Sequence, residues 1–343
     1  MKKKTKHPDR KISTQHPEPN LRRAVDLVMA LLAIPGRSGE EGAILEAIRS
    51  RLLAAGLSAD DIIAEPPPRK SHIAGKAGNL IVRLPGTLRA PRRLFSAHVD
   101  TVPICVGAKP VLKGRHIHSA DPNTGLGGPN TPPPPAGLTP PHPPLTFLWT
   151  VQEEVGLYGA RFVRRASLGK PSLAFNYDGG ATNKVTIGAT GGYRMHIEIE
   201  GLASHAGGAP EEGISAIAIA ALAIADLVND GWHGKIEKNG SSGTSNVGVI
   251  EGGAATNVVT DRVSIRAEAR SHDKRFRAKI IREIERALAR AAKSVRNAAG
   301  KCGKVAIDGR LDYETSRLDP NEPSVRAAAD AVIVRDDNAS LLT

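Results

Sequence analysis

The sequence has few aromatic residues, two cysteines and no long apolar run. Aromatic residues make up only 3% of the 343 residues, so a core must be built mainly from alanine, leucine, isoleucine and valine. Cys105 and Cys302 are too few for a disulfide framework, which favours a reducing compartment. No apolar run approaches the ~20 residues that cross a bilayer, and none follows the basic N-terminus as in a secretory signal. We therefore expect a cytoplasmic protein without a membrane partner.

Basic residues outnumber acidic ones. The chain has 47 Lys and Arg against 35 Asp and Glu, a net charge of +12 at pH 7 with neutral histidine. These cations are scattered through predicted helices and the N-terminal tail, and no aromatic stacking motif or zinc-finger spacing accompanies them. We interpret the charge as a solvated basic surface and do not expect nucleic acid as a partner.

Helices and short strands alternate in the first half of the chain. Apolar spacing predicts a helix over residues 21–34, and Ser38 with Glu41 three positions later has the pattern of a capping box for a second helix that ends near Gly56. Short β-rich runs bounded by Gly and Pro predict strands. These predicted strands cover residues 79–84, 93–99 and 145–151. The alternation indicates an α/β sheet.

The pattern changes after about residue 184. Residues 194–200 alternate with period two, and residues 213–228 form an Ala- and Ile-rich helical pattern. Two further strands and a long basic helix follow, at residues 244–250, 263–268 and 275–295. A β-α-β-β-α unit of this size predicts a separate inserted domain.

Two short motifs place ionisable side chains at the ends of predicted strands. His98 and Asp100 are two positions apart, so they point to the same side of a strand end, where open α/β sheets bind ligands. Glu153 and Glu154 follow the strand at 145–151, and adjacent carboxylates repel unless a cation or a proton compensates. Taken separately, each motif also fits a structural pair or an exposed acidic pair.

Two more polar residues lie in glycine-rich segments. Asp178 precedes two glycines, which is also typical of a simple turn. His205 lies in the segment Gly201-Leu-Ala-Ser-His-Ala-Gly, where a lone histidine is usually structural or solvated. Neither residue predicts a function alone.

The order and context of these motifs resemble those of one known family. Over about residues 20–330 the chain is similar to the peptidase-T-like branch of the zinc aminopeptidase, carboxypeptidase and aminoacylase metallopeptidase family. The motifs that carry the resemblance are Ala97-His-Val-Asp-Thr-Val-Pro, Thr150-Val-Gln-Glu-Glu-Val-Gly, Gly201-Leu-Ala-Ser-His-Ala-Gly and Arg270-Ser-His-Asp. The resemblance implies a zinc-dependent hydrolase of peptide or N-acyl amino-acid amide bonds.

The resemblance implies a role for each matching residue of a two-zinc centre. His98 and Asp178 match ligands of the first zinc, and Glu154 matches a ligand of the second. Asp100 matches the carboxylate that orients the first histidine. Glu153 matches the general base that takes a proton from water.

On the substrate side, the resemblance implies three more residues. His205 matches a lid-domain histidine that reaches a substrate oxygen, often across a dimer interface. Asn257 and Arg270 lie where relatives contact substrate. The expected partners are therefore a small peptide or N-acyl amino acid and a second copy of the chain.

The implied fold class is α/β, a mixed-sheet catalytic domain with an inserted smaller α+β lid or dimerisation domain. The predicted boundaries are a disordered basic tail at 1–19, the first part of the catalytic domain at 20–185, the lid at 186–298 and a shortened second part of the catalytic domain at 299–343.

The sequence departs from the family in two places. Relatives carry an aspartate that bridges the two zincs, and the matching position here is Pro129. It opens a segment, residues 129–144, in which nine of sixteen residues are proline, so we expect an exposed, extended chain there and no helix. Relatives also carry a late histidine ligand for the second zinc, whereas no histidine follows His272.

These departures predict at most one zinc per chain and weak activity. Replacement ligands could come from four nearby residues, His116, His118, Asp121 and His142. The alternative function is a catalytically inactive peptide-binding or dimeric remnant of such an enzyme.

Overall fold

The computed structural model describes residues 20–127, 141–178, 183–333 and 340–342. The chain forms two compact units that divide between Gly180 and Ala181. The predicted tail at 1–19 lies outside the described residues, as do Pro129 and most of the proline-rich segment. No helix in the described ranges combines the length and the apolar character needed to cross a membrane.

Unit 1 is built around a five-stranded mixed sheet. Its elements are α1 (Leu21–Leu32), α2 (Gly42–Ala54), β1 (Ile62–Ala64), β2 (Leu80–Leu84), β3 (Arg93–His98), β4 (Pro110–Lys113), β5 (His116–Ser119), β6 (Leu145–Thr150), α3 (Tyr158–Phe162) and β7 (Leu173–Asn176). The strand order is β1-β2-β6-β3-β7, and β4 pairs separately with β5. Strand β3 is parallel to β6 and β7, whereas β2 is antiparallel to β1 and β6. The predicted mixed α/β sheet is confirmed.

The centre of unit 1 is apolar. All six residues of β6 are buried, as its nearly uninterrupted apolar sequence predicts for a strand covered on both faces. Helix α2 buries Ile48 and Leu52 in the same core cluster as Trp149 of β6. This packing holds the ends of the strands in fixed positions.

Three parallel strands of unit 1 end at the same edge of the sheet. Strand β3 ends at His98, β6 at Thr150 and β7 at Asn176. Because β3, β6 and β7 run in the same direction, the turns that follow them are neighbours. Every predicted metal-centre residue lies at the end of β3 or in the turns after the three strands.

Unit 2 has helices packed on a five-stranded antiparallel sheet, most of whose strands are longer than those of unit 1. Its elements are β8 (Lys184–Thr186), β9 (Gly188–Ala189), β10 (Gly191–Glu200), β11 (Ser204–His205), α4 (Ala216–Asn229), β12 (Gly234–Lys238), β13 (Ser241–Gly252), β14 (Val258–Val259), β15 (Arg262–Ser271), α5 (Lys274–Ser294), β16 (Lys304–Tyr313), β17 (Ser316–Arg317), α6 (Pro323–Ile333) and β18 (Ser340–Leu342). The main sheet has the order β12-β13-β15-β10-β16, and α4 and α5 pack on it.

Alternating residues of the unit 2 sheet form its core. Ile197 of β10 lies opposite Ile265 of β15, and both belong to the cluster that α4 and α5 cover. Strand β16 lies beyond residue 298, where the sequence pattern assigned the chain to the catalytic domain. It pairs with β10 over nine residue positions, so the lid sheet includes it.

The predicted capping box of α2 is wrong. The residue before the helix is Glu41, and its side chain makes no capping hydrogen bond. Ser38 instead donates from Oγ to Asp100 Oδ2 at 2.6 Å. Glu41 accepts from the backbone N–H of Gln152 at 3.0 Å. Each of the two side chains therefore has a hydrogen-bond partner that is distant in sequence.

Candidate metal centre

The first part of the site is a histidine held by a buried aspartate. His98 Nδ1 lies 3.0 Å from the backbone oxygen of Asp100 and 3.4 Å from its Oδ1. Both neighbours are acceptors, so Nδ1 carries the proton and Nε2 is the nitrogen left for a ligand. Asp100 is fully buried. This is the pairing of imidazole and carboxylate that the spacing of the two residues predicted.

The second part is the turn after β6, which carries Glu153 and Glu154. Their backbone N–H groups donate to Asp100 Oδ1 at 2.9 Å and Oδ2 at 3.1 Å. Gln152 before them has φ +54°, a left-handed conformation that is uncommon for residues other than glycine. One buried carboxylate thus binds both the histidine and the acidic turn.

The third part is Asp178, in the turn after β7. Its Oδ1 lies 3.7 Å from His98 Nε2. The structure therefore brings together Asp178, His98 and the residues that hold His98. The side chain of Asp178 is about half exposed, at 53%, so it lies on the open side of the site.

One set of side chains has the spacing of a metal site. Ligand atoms of His98, Glu153 and Glu154 all lie within 4.8 Å of one another, and in the described part of the chain no other three His, Cys, Asp or Glu residues do so. One imidazole and two carboxylates are donors that zinc accepts. The donor chemistry of the site therefore fits a divalent cation.

The proposed replacement ligands do not join this set among the described residues. Asp121 Oδ1 accepts from Asn123 N at 2.8 Å in its own turn. His142 Nδ1 lies 2.8 Å from the backbone oxygen of Pro143. His116 and His118 lie on the β4–β5 hairpin and are exposed, so each of the four has a local environment of its own.

The electrostatics of the site favour a positive charge. Burial opposes the protonated form of His98, but the carboxylates of Asp100 and Asp178, with Glu153, outweigh it and raise its pKa to about 10. Burial raises the pKa of Glu153 above its usual range, with nearby carboxylates adding to it. For Asp100, burial is outweighed by hydrogen bonds from His98, Ser38 and the acidic turn, which lower its pKa. A cation that replaces the His98 proton relieves this excess of negative charge.

The predicted substrate residues lie in unit 2. His205 is in β11 and pairs with Val258 of β14, and the backbone oxygen of Asn257 accepts from Ala206 N at 2.9 Å. The short pair of strands therefore places His205 and Asn257 side by side. Arg270 is on β15.

Local hydrogen bonds determine which ring nitrogen of His205 is a donor and which groups the guanidinium of Arg270 binds. Gly207 N and Gly208 N donate to His205 Nδ1 at 3.2 and 2.9 Å, so in the neutral ring the proton is on Nε2, which is a donor. Arg270 Nε and Nη2 each donate to Glu268 at 2.9 Å, and Nη1 donates to Tyr313 at 3.1 Å.

Sequence reasoning did not assign Ser38, Glu41 or Gln152 to the site. Ser38 donates to Asp100, and Glu41 accepts from Gln152, the residue before Glu153. Glu41 and Gln152 are fully buried. The available signal was the Ser38–Glu41 spacing, which matched a helix cap. In the structure, Ser38 and Glu41 instead make hydrogen bonds to residues that are 62 and 111 positions away in the chain.

Comparison with known proteins places this site in a family. Residues 187–296 match the M20 domain described as a peptidase dimerisation domain. The chain is also 32% identical over 269 residues to the uncharacterized protein YqjE of Bacillus subtilis, which covers 74% of this chain and 67% of that protein. The chain belongs to the M20 peptidase family. The expected inserted dimerisation domain is thereby confirmed.

Solved structures of M20 relatives agree with the expected branch. A tripeptidase from Staphylococcus aureus is 26% identical, with a TM-score of 0.73. The aminopeptidase PepT from Bacillus cereus is 27% identical, with a TM-score of 0.68. Each likeness covers 94% of this chain and 84% of the other. The resemblance to the peptidase-T-like branch is confirmed.

Proposed function

We propose that this M20 protein hydrolyses peptide or N-acyl amino-acid amide bonds with zinc. The observation that carries the proposal is the convergence of His98, Glu153 and Glu154 within 4.8 Å at the edge where three parallel strands end. The likeness to a tripeptidase and an aminopeptidase supports this reaction class. We also infer that the protein acts in the cytoplasm as a homodimer, which the two free cysteines and the matched dimerisation domain support.

His98 and Asp178 are the residues that would hold the first zinc, and Glu154 is the residue that would remain for the second. When bound, zinc polarises the scissile carbonyl and acidifies water. Asp100 keeps the proton of His98 on Nδ1, so that Nε2 would be the nitrogen available to a metal. The same carboxylate orients the acidic turn through two backbone N–H groups.

Glu153 is assigned the role of general base. Its raised pKa brings it closer to neutrality, where a carboxylate both accepts a proton from water and returns it to a leaving amine efficiently. His205 is assigned the donor to the substrate oxygen on the family resemblance, and the use of its Nδ1 as an acceptor makes Nε2–H the donor of the neutral ring. Asn257 and Arg270 are assigned to substrate binding on the family resemblance.

We further propose that the chain holds one zinc at most. A catalytic zinc normally has three protein ligands plus water, and Pro129 stands where relatives carry the bridging carboxylate. Without that carboxylate, two dications would repel each other with little compensation. This sequence feature also supports the alternative, an inactive peptide-binding or dimeric remnant, in which no turnover occurs.

Metal analysis and turnover test the proposal together. After dialysis against zinc, we expect up to one equivalent per chain and slow hydrolysis of tripeptides or N-acyl amino acids. Glu153→Gln should lower kcat by about 10²–10⁴-fold, the usual contribution of a general base. Glu46→Gln, an exposed carboxylate on α2, is the control and should keep wild-type turnover.

Other outcomes identify which assumption fails. Zinc binding without turnover would favour the inactive alternative. Two tightly held zincs with rapid turnover would mean that the bridging ligand has been misplaced.

A further inference from the structure

Glu41 is a buried carboxylate that no part of the proposed mechanism uses. It is fully buried and precedes α2 without capping it. Its Oε1 accepts two backbone hydrogen bonds, from Gly39 N at 2.8 Å and from Gln152 N at 3.0 Å. The second bond joins the start of α2 to the turn that carries Glu153 and Glu154.

The turn that Glu41 contacts has a costly backbone. Gln152 is held at φ +54°, a left-handed conformation that is unfavourable for a residue with a side chain. Neither polar side-chain atom of Gln152 has a hydrogen-bond partner among the described residues. Its conformation therefore depends on its backbone groups, whose oxygen accepts from Tyr158 N at 3.0 Å and whose N–H donates to Glu41.

Three consecutive N–H groups of this turn are bound by two buried carboxylates. Glu41 binds the N–H of Gln152, and Asp100 binds those of Glu153 and Glu154. Ser38, three residues before Glu41, donates to the same Asp100. The segment before α2 thus supplies one of the two carboxylates that bind this turn, Glu41, and contacts the other, Asp100, through Ser38.

We propose that Glu41 is a positioning residue of the metal centre, which sets the direction of Glu153 and Glu154 through the backbone of Gln152. The inference rests on the proposed function, because the centre must bind a metal for the positioning to matter. Burial, followed by the charge of Asp100, raises the pKa of Glu41. A buried carboxylate near a second one is unfavourable unless its hydrogen bonds compensate, and here one of the two that it accepts is donated by the turn.

Two substitutions separate positioning from simple stability. Glu41→Leu removes the acceptor while keeping a similar size. Glu41→Gln keeps Oε1 as an acceptor, and its NH2 replaces Oε2, which accepts no hydrogen bond from the described residues. Leu45→Ala, in the buried face of α2, is the matched control, since it destabilises the same helix but removes no hydrogen-bond acceptor from the turn.

Zinc affinity and hydrogen exchange are measured on all four full-length proteins. We expect Glu41→Leu to weaken zinc binding about tenfold or more, as loss of an orienting partner typically does, and Glu41→Gln to restore most of it. In the metal-free protein, Glu41→Leu should speed amide exchange in a peptide covering residues 150–158. Leu45→Ala should do neither beyond its effect on global stability.

The two readouts keep the proposals separate. If wild type binds no zinc but Glu41→Leu alone speeds exchange in residues 150–158, the proposed function fails and the positioning role stands. If Glu41→Leu matches Leu45→Ala in both measurements, or if wild type binds zinc and Glu41→Gln fails to restore the affinity lost in Glu41→Leu, the positioning role is overturned.

Discussion

At the scale of single residues, Arg277 is a cation that unit 2 buries almost completely. Its side chain is 8% exposed, and its Nη1 lies 2.8 Å from Glu314 Oε1. Glu314 also pairs with Lys274 at 3.5 Å and accepts from Thr315 N. The ion pair with Arg277, together with the hydrogen bond from Thr315 N, lowers the pKa of Glu314 from 4.5 to about 2. A single carboxylate thus compensates a nearly buried charge.

This lowered pKa predicts a pH-dependent effect of Glu314→Gln. A depressed folded-state pKa means that the stabilisation is fully present above about pH 4.5 and is lost as the pH falls through about 2. Glu314→Gln should therefore lower the Tm at pH 7, and the difference from wild type should shrink between pH 4.5 and pH 3. Thermal unfolding at several pH values measures it.

An exposed ion pair serves as the control. Glu251→Gln breaks a 3.8 Å contact with Arg266 in which both side chains are largely exposed, so it should leave the Tm nearly unchanged. A difference for Glu314→Gln that stays constant from pH 7 to pH 3 would rule out this electrostatic account.

At the scale of elements, α4 is a helix whose exposed side is apolar. Asp226 is the one ionisable residue among its fourteen positions. The exposed positions include Ile217, Leu222 and Val228 at 46%, 47% and 55%, with alanines between them. Such a face normally packs against a partner. The dimerisation domain matched over residues 187–296 includes this helix, so a second copy of the chain is the occupant we expect.

A charge placed on α4 should therefore prevent dimerisation. Leu222→Glu buries an unpaired carboxylate in the interface, which costs several kcal/mol unless the pair separates. Light scattering after gel filtration should show a dimer for wild type and a monomer for this variant. Leu88→Glu alters an equally exposed leucine, at 47%, in unit 1 and should remain dimeric. A monomeric wild type, or a dimeric Leu222→Glu, would contradict the assignment.

At the scale of the whole molecule, unit 2 contains a complete core of its own. All residues of its main cluster, from Tyr193 to Ile307, lie within the unit. The sheet that carries this cluster ends with β16, whose register with β10 runs from Lys304 to Tyr313. The complete sheet of unit 2 therefore includes chain beyond residue 298.

This extent of the sheet predicts how two fragments will behave. A fragment of residues 187–317 should unfold in one cooperative thermal transition, because the main sheet, α4, α5 and the core cluster are all present. A fragment of residues 187–298 should be less stable, because β10 loses its partner β16 and becomes an exposed edge. Absence of a cooperative transition in the longer fragment, or equal stability of the two, would contradict the prediction.

Much of unit 1 could be predicted from local sequence. The apolar run of β6 predicted a strand buried on both faces, and the two-residue spacing of His98 and Asp100 predicted a shared direction. These predictions succeed because the alternation of side chains along a strand, and its burial, determine which residue types occur at successive positions. The motifs also predicted the family and its inserted domain, since each combines a turn geometry with a required side chain.

The tertiary structure alone decided the partners of buried polar groups. Ser38 and Glu41 match a helix cap in sequence, yet they bind Asp100 and Gln152. The place of β16 in the lid sheet likewise follows from its pairing with β10, not from its position after residue 298. The sequence by itself determined which segments form strands and helices and which side chains stand at the strand ends. Hydrogen bonds between distant segments depend on which donors and acceptors are buried together, and only the folded chain establishes that.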